Sequence, residues 1–174
     1  MRSILATLQK EHDVLHGLFE RMNETTDRAV KTREELLGTI EAALIPHAKW
    51  EELVFYPAFA AKAGHDQLLQ HAEAIQEHRA VELTVLPDLH ASPFDSRQFA
   101  GSAKVLGELI KHHAGEEERE MFKSARELFS TAELAQMDVD YEEWKESFAS
   151  KWITAHAQIN TAVKGALRSP KAPG

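Results

Sequence analysis

Histidine and glutamate residues recur in two matched sets along the chain, and side chains of these types can bind metal ions. Each member of the second set lies 66 residues after its counterpart in the first. The two sets are His12, His47 and Glu51, and then His78, His113 and Glu117. The flanking sequences agree as well, since HAKWEELVFY in the first half aligns with HAGEEEREMF in the second. We interpret the two halves as helical hairpins related by a pseudo-twofold axis.

The spacing within each set suits metal coordination. Residues four apart in an α-helix share one face, about 6 Å apart along the axis, so His47 and Glu51 can reach one centre. Burying such groups without partners costs about 2–7 kcal/mol for a neutral polar group and more for a charge. Four imidazoles and two carboxylates suit first-row ions, and two carboxylates can bridge two ions. We expect a di-iron site with two histidines on each metal and with Glu51 and Glu117 as bridges, although ligand type alone leaves manganese and zinc open.

Helical elements must carry these residues, because apolar residues recur with helical spacing almost throughout the chain. Short connections between helices of similar length favour antiparallel neighbours. The sequence therefore predicts an all-α protein, an up-down-up-down four-helix bundle. Its helices are expected from about Ser3 to Ala29, from the capping-box pair Thr32 and Glu35 to Gly64, from Asp66 to Ser92, and from the pair Asp95 and Gln98 onward. Pro46 should kink the second helix.

A fifth, long C-terminal helix is predicted after the capping-box pair Ser130 and Glu133. Its apolar stripe continues for roughly 30 residues, or about 45 Å, which exceeds the length that the bundle needs. The segment either bends at Ser150 and folds back, or packs its far end on something else. A homodimer contact through Trp144 and Trp152 is one such expectation. We divide the chain into a bundle (1–130), a C-terminal helical extension (131–168) and a disordered tail (169–174).

Composition excludes several classes of function. The absence of cysteine rules out disulfides, thiolate zinc sites, iron–sulfur clusters and cysteine nucleophiles. The net charge of -8 argues against a nucleic-acid partner and disfavours an anionic membrane surface. The longest uncharged apolar stretch, Leu53 to Ala61, contains a proline and is far short of a membrane span, and the N-terminus becomes charged too soon for a signal peptide. We expect a cytoplasmic protein.

The pattern of candidate ligands resembles the hemerythrin family, specifically its HHE cation-binding branch. The resemblance covers roughly Ile4 to Phe129 and is specific in its combined spacing. It is carried by His12, by His47-x-x-x-Glu51 with the Leu-Val-Phe-Tyr-Pro that follows, by Glu77-His78, and by His113-x-x-x-Glu117. The resemblance implies a four-helix bundle with an oxo- or hydroxo-bridged di-iron centre that handles O2, peroxide or nitric oxide, or senses iron.

One departure from the family pattern bears on function. The oxygen-carrying members have five histidines, including a His-x-x-x-His on the third helix, whereas the residue four before His78 is Ala74. Four histidines should leave both metals open or water-bound, which permits bridging peroxide and two-electron chemistry. We therefore favour peroxide decomposition over oxygen carriage. The alternative is a non-catalytic module that binds or senses O2, nitric oxide or iron and signals through the fifth helix.

Three further residues are expected near the centre. Tyr56, five residues after Glu51, is a candidate phenolate ligand or hydrogen-bond donor, and its counterpart in the second half is Phe122. His16 and Glu82 occupy equivalent positions one helical turn beyond the first histidine of each set. For this pair we favour hydrogen bonds to ligands over direct ligation.

The other polar neighbours of the two sets are expected to face solvent. This group contains Glu52, Glu116, Glu118 and Glu120. His112 is also expected at the surface, because adjacent residues of a helix point about 100° apart.

Overall fold

The computed structural model describes residues 2–166, with side chains described as far as residue 148. Every regular element in this part of the chain is helical, which confirms the predicted all-α class. The elements are α1 (Ile4–Asn23), α2 (Val30–Trp50), π1 (Glu51–Phe55), α3 (Tyr56–Lys62), α4 (His65–Ala80), π2 (Val81–Val85), α5 (Leu86–Ala91), α6 (Arg97–Glu116), π3 (Glu117–Met121), α7 (Phe122–Leu128) and α8 (Thr131–Ala166).

Four continuous helices form the bundle. Bundle helix 1 is α1, bundle helix 2 joins α2, π1 and α3, bundle helix 3 joins α4, π2 and α5, and bundle helix 4 joins α6, π3 and α7. Each packs against its neighbours in chain order, and α6 closes the ring by packing on α1. The additional helix α8 packs on α1 and α2. The predicted four-helix bundle with an extra C-terminal helix is therefore confirmed.

Two apolar cores fill the bundle at different heights. The first core joins the start of α1 to the later parts of bundle helices 2 and 4, with Leu8, Phe55 and Phe122 among its buried members. The second core joins the later part of α1 to the first halves of α2 and α6, and includes Leu15 and Ile110. Because the candidate ligands lie between these stretches of each helix, the fold places a polar layer between two apolar ones.

The connection between the first two helices is longer than predicted. Bundle helix 1 ends at Asn23 rather than near Ala29. The buried guanidinium of Arg33 holds the intervening turn, since its Nε donates to Thr25 Oγ1 at 2.8 Å and its Nη1 donates to the Phe94 carbonyl at 2.6 Å. Arg33 Nη2 also donates to the Thr25 carbonyl at 3.3 Å, so the guanidinium satisfies a backbone acceptor just after the end of the helix.

Two of the predicted helix starts are wrong. The Thr32 and Glu35 capping box does not form, because α2 begins at Val30, two residues earlier, and has no side-chain cap. At the fourth bundle helix the cap is Ser96 rather than Asp95. At the fourth bundle helix the neighbouring serine fits the sequence pattern as well as Asp95 does, whereas α2 begins after Ala29, which offers no capping side chain.

The fifth helix is confirmed together with its cap. Ser130 Oγ accepts from the Glu133 backbone N–H at 3.2 Å, and Glu133 Oε2 accepts from the Ser130 N–H at 2.7 Å. The helix passes through Ser150 without interruption, so the chain does not fold back there. The predicted tail at 169–174 lies outside the described residues, and so does the Trp152 side chain.

The bundle side of α8 is attached by polar and aromatic contacts. The buried Asp138 carboxylate accepts from Arg2 Nε at 3.0 Å and from the Thr7 hydroxyl. The buried Tyr141 ring packs against Trp50 with 4.9 Å between ring centroids. Within the described part of the chain, no helix has the length and apolar character needed to cross a bilayer.

Gly107 and Gly101 of α6 differ in the space around them. A Cβ at Gly107 would lie 3.1 to 3.2 Å from the buried Phe19 side chain, whereas one at Gly101 would meet nothing within 4 Å. Gly101→Ala should raise the free energy of unfolding by about 0.5–1 kcal/mol, because alanine loses less entropy in a helix. Gly107→Ala should lower it, since overpacking costs about 1–3 kcal/mol. Chemical denaturation measures the free energy of unfolding of both variants. An equal increase in the two variants would contradict this account of the α1–α6 contact.

Candidate metal centre

All six residues of the two matched sets meet in the polar layer, and all six are buried. Ligand atoms of four of them lie within 4.8 Å of one another, and the remaining two histidines form a second such group that shares Glu51. The first group is His12, His47, Glu51 and Glu117, and the second is Glu51, His78 and His113. The structure therefore brings together every ligand candidate that the 66-residue repeat singles out.

Wide π-helical turns begin at both candidate bridging residues. Glu51 opens π1 and Glu117 opens π3, at equivalent places in the two halves. A π turn inserts an extra residue into the helix and is common at functional sites. These turns are not predictable from the i, i+4 spacing of the candidate ligands, because that spacing is equally that of an uninterrupted α-helix.

The four histidines form two pairs through their Nε2 atoms. The Nε2 atoms of His12 and His47 are 3.1 Å apart, and those of His78 and His113 are 3.0 Å apart. Each pair takes one histidine from each helix of a hairpin. Two nitrogen lone pairs aimed at one point suit a shared cation.

Both carboxylates lie between the two histidine pairs. Glu51 Oε1 is 3.1 Å from His47 Nε2, and its Oε2 is 3.6 Å from His78 Nε2. Glu117 Oε2 is 3.6 Å from His12 Nε2 and 3.7 Å from His113 Nε2. Each carboxylate therefore reaches one histidine of its own half and one of the other half, as bridging residues must.

Three oxygens of these carboxylates are buried without a hydrogen-bond donor among the described residues. They are Oε1 and Oε2 of Glu51 and Oε2 of Glu117. A buried charged acceptor without a donor costs several kcal/mol, so it requires a compensating positive charge. The unsatisfied oxygens point to cation binding at this layer.

The outer nitrogen of each histidine is held by a further carboxylate. The Nδ1 pairs are His12 with Glu118 at 2.9 Å, His47 with Glu11 at 2.9 Å, His78 with Glu52 at 3.0 Å, and His113 with Glu77 at 2.7 Å. With the proton on Nδ1, the Nε2 lone pair is free to face the centre. Such outer carboxylates orient histidine ligands and raise their basicity.

This outer layer corrects one expectation. Glu52 and Glu118 are not solvated side chains, because each spans from one hairpin to a histidine of the other. The roles of Glu11 and Glu77 were also missed. A signal was available in the sequence, since Glu-His and Glu-Glu pairs recur with the same spacing as the six central residues.

Tyr56 breaks the twofold symmetry of the centre. Its hydroxyl donates to Glu117 Oε1 at 2.8 Å and lies 3.3 Å from Nε2 of both His78 and His113. Its counterpart Phe122 stacks on the His12 ring with 6.0 Å between centroids. One end of the centre therefore has a phenol donor, whereas the other end has an apolar ring.

The other two predicted neighbours do not bond to the candidate ligands. Glu82 is 48% exposed and accepts from Lys49 Nζ at 2.8 Å. The buried Nε2 of His16 has no hydrogen-bond partner among the described residues. His112 lies at the surface as predicted, with 59% of its side chain exposed.

Burial and neighbouring charges shift the pKa values of the groups in this layer in different directions. Burial and the neighbouring Glu51 raise the pKa of Glu117 above its ordinary value. Burial disfavours a charged His47, but Glu51 and Glu11 outweigh it and raise the pKa of His47 to about 10. Burial and His47 lower the pKa of His12 to about 3. Cation binding at Glu117 and His47 therefore competes with proton binding.

Among the described side chains, helix α8 contacts this network at Glu11 and not at its counterpart in the second half. Glu11 accepts from Tyr141 Oη at 2.6 Å and from Lys145 Nζ at 2.7 Å, in addition to its contact with His47. The equivalent residue Glu77 faces the exposed His112, which lies 3.5 Å away. The side chains of α8 are therefore two contacts away from a candidate metal ligand.

Comparison with known proteins identifies the class of the chain. The sequence profile of the hemerythrin HHE cation binding domain matches residues 3–125, so the chain belongs to this family. Its fold is similar to the crystal structure of a hemerythrin HHE cation binding domain-containing protein from Mycobacterium kansasii, with a TM-score of 0.72 and 26% identity over 88% of this chain and 94% of that chain. No curated protein matches the chain. The family and the buried cluster together indicate metal-ion binding.

Removing one outer carboxylate should weaken metal binding without touching a ligand. Glu118→Ala removes the Nδ1 partner of His12, and we expect the metal affinity to fall by about 10–100-fold. Competition with a chromophoric chelator measures this affinity. Glu127→Ala, at an exposed site on α7, serves as the control and should bind like the unaltered protein. Equal affinity of both variants would show that Glu118 does not orient His12.

Proposed function

We propose that the chain binds two iron ions in the polar layer and decomposes hydrogen peroxide there. His12 and His47 would hold one ion, and His78 and His113 the other. Glu51 and Glu117 would bridge the ions, together with an oxo or hydroxo group. The same imidazole and carboxylate donors can also bind manganese or zinc.

The observation that carries this proposal is the set of three donor-less carboxylate oxygens beside four imidazole nitrogens. Two carboxylates that each span both histidine pairs suit two cations better than one. Bound iron would supply the two-electron chemistry that converts two molecules of hydrogen peroxide into O2 and two of water.

The chain's own residues prepare the site for a peroxide. The outer carboxylates keep the imidazoles oriented, with Nε2 toward the centre. Burial and then Glu117 raise the pKa of Tyr56 well above its ordinary value, so the phenol retains its proton. That proton lies beside the His78 and His113 pair, where it can be donated to a ligand oxygen. The four-histidine set supports peroxide chemistry over O2 carriage.

Oxygen evolution from peroxide tests the proposal. The iron-loaded, desalted protein should evolve O2, and His113→Ala should reduce the rate by about 100-fold or more, because a ligand matters more than its outer partner. His65→Ala is the control, since this histidine is exposed at the start of α4 and lies outside the six-residue cluster. Equal rates for His113→Ala and the unaltered protein would refute catalysis at this centre.

The contacts of α8 support a second candidate function. Glu11 joins His47 to Tyr141 and Lys145. A change at the metal that His47 would hold can therefore alter how α8 packs on the bundle. In this proposal the protein binds O2, nitric oxide or iron without turnover and signals through α8, including through a homodimer formed by this helix. Trp144 lies on the same helix, stacked 6.4 Å from the Tyr141 ring, and can report the change.

Trp144 fluorescence and oligomeric state test the sensing proposal. Nitric oxide added to the iron-loaded protein should change at least one of them, and Tyr141→Phe should reduce the change, because one of the two bonds that join Glu11 to α8 is lost. Val139→Ala, a half-exposed position on α8, should keep the full response. If the unaltered protein responds to neither O2, nitric oxide nor iron removal, the sensing proposal fails.

A further inference from the structure

A cavity of about 380 Å³ adjoins the polar layer and has mostly apolar walls. Its inner end is formed by the same four histidines that hold the candidate centre. The next layer of wall comes from all four bundle helices, one turn away from the histidines. These residues are Leu15, Leu44, Val81 and Ile110. They form two pairs related by the 66-residue repeat, so the repeat builds this apolar layer as well as the ligand layer.

Away from this cavity the centre is closely packed, and a pocket beside His113 and Glu117 holds only about 20 Å³. The buried rings of Tyr56, Phe55 and Phe122 pack into the first apolar core. The Tyr56 hydroxyl covers Nε2 of His78 and His113 at 3.3 Å. A molecule larger than water therefore has room to approach the centre from the cavity side.

Charged residues also line the cavity, beside the histidines. Lys49 Nζ donates to Glu52 Oε2 at 2.9 Å and to Glu82 Oε2 at 2.8 Å, which joins bundle helices 2 and 3. Because Glu52 also holds His78 Nδ1 at 3.0 Å, this charged group adjoins the polar layer. Leu86 and Ile45 line the cavity and are partly exposed. The cavity therefore combines a polar end at the histidines with mostly apolar walls.

This cavity is much larger and more apolar than hydrogen peroxide requires. A water molecule occupies about 30 Å³ in the liquid, and hydrogen peroxide has only one more oxygen atom. The apolar walls also offer a small polar molecule no hydrogen-bond partner. Ligand sites of about 300–1,000 Å³ with apolar walls and a few convergent polar groups bind organic molecules, because burial of apolar surface supplies their affinity.

We propose that the cavity binds the apolar group of an organic hydroperoxide, ROOH, with its O–O group at the histidine end. This inference rests on the proposed peroxide function and names its substrate class. The reaction breaks the O–O bond, and two thiols serve as the external reductant. Two electrons and two protons pass from the thiols to the peroxide, which gives ROH, water and a disulfide.

Binding of the product alcohol tests the cavity without any turnover. 2-Phenyl-2-propanol, the alcohol formed from cumene hydroperoxide, should bind the iron-loaded protein in isothermal titration calorimetry. Leu86→Trp and Leu109→Trp should each weaken binding by about tenfold, because the larger ring fills the cavity. Leu83→Trp is the control, since Leu83 lies three residues from Leu86, is largely exposed and does not line the cavity. No binding, or equal binding by all three variants, would overturn the proposal.

The ratio of kcat/KM for cumene hydroperoxide to that for hydrogen peroxide gives the second readout. The unaltered protein and Leu83→Trp should share one ratio, and Leu86→Trp should lower it by about tenfold. If hydrogen peroxide is decomposed but the alcohol does not bind, only the assignment of substrate class fails. If the alcohol binds but neither peroxide reacts, the cavity is confirmed as an apolar site and the proposed peroxide function fails.

Discussion

Two glutamates are buried in the middle of the bundle with oxygens that no described donor satisfies, and the rest of the structure is arranged around them. Such groups are tolerated only where positive charge is near, because desolvation of a carboxylate is expensive. The four imidazoles supply part of that charge through the protonated His47. Cations would supply the remainder, and the four outer carboxylates hold the imidazoles so that the nitrogens face the centre.

Placing this layer between two apolar cores has a structural advantage. Each core packs independently, with Phe55 and Leu8 on one side and Leu15 and Ile110 on the other. The histidines are therefore packed against buried rings of the first core, whereas Leu15 and Ile110 of the second core leave a cavity beside them. Packing of this kind on one side limits the reorganisation that ligand binding would otherwise require.

The residues at the centre match between the two halves of the repeat, whereas some of the residues around it differ. The six central residues and the four outer carboxylates follow the repeat, whereas Tyr56 has Phe122 as its counterpart. Among the described side chains, Glu11 is tied to α8 and its counterpart Glu77 is not. The two histidine pairs therefore have different surroundings, although the six central residues are matched.

The six candidate ligands that meet in the polar layer, the bundle and the fifth helix were predictable from the sequence alone, because helical periodicity and the 66-residue repeat are properties of the chain order. Ser130 and Glu133 were also predictable, since both capping bonds are local. The outer carboxylates Glu52 and Glu118 were not, because each contacts a histidine of the opposite hairpin. The π turns, the turn held by Arg33 and the apolar cavity were likewise decided by packing between helices. Such contacts join residues far apart in the chain, and no local pattern specifies them.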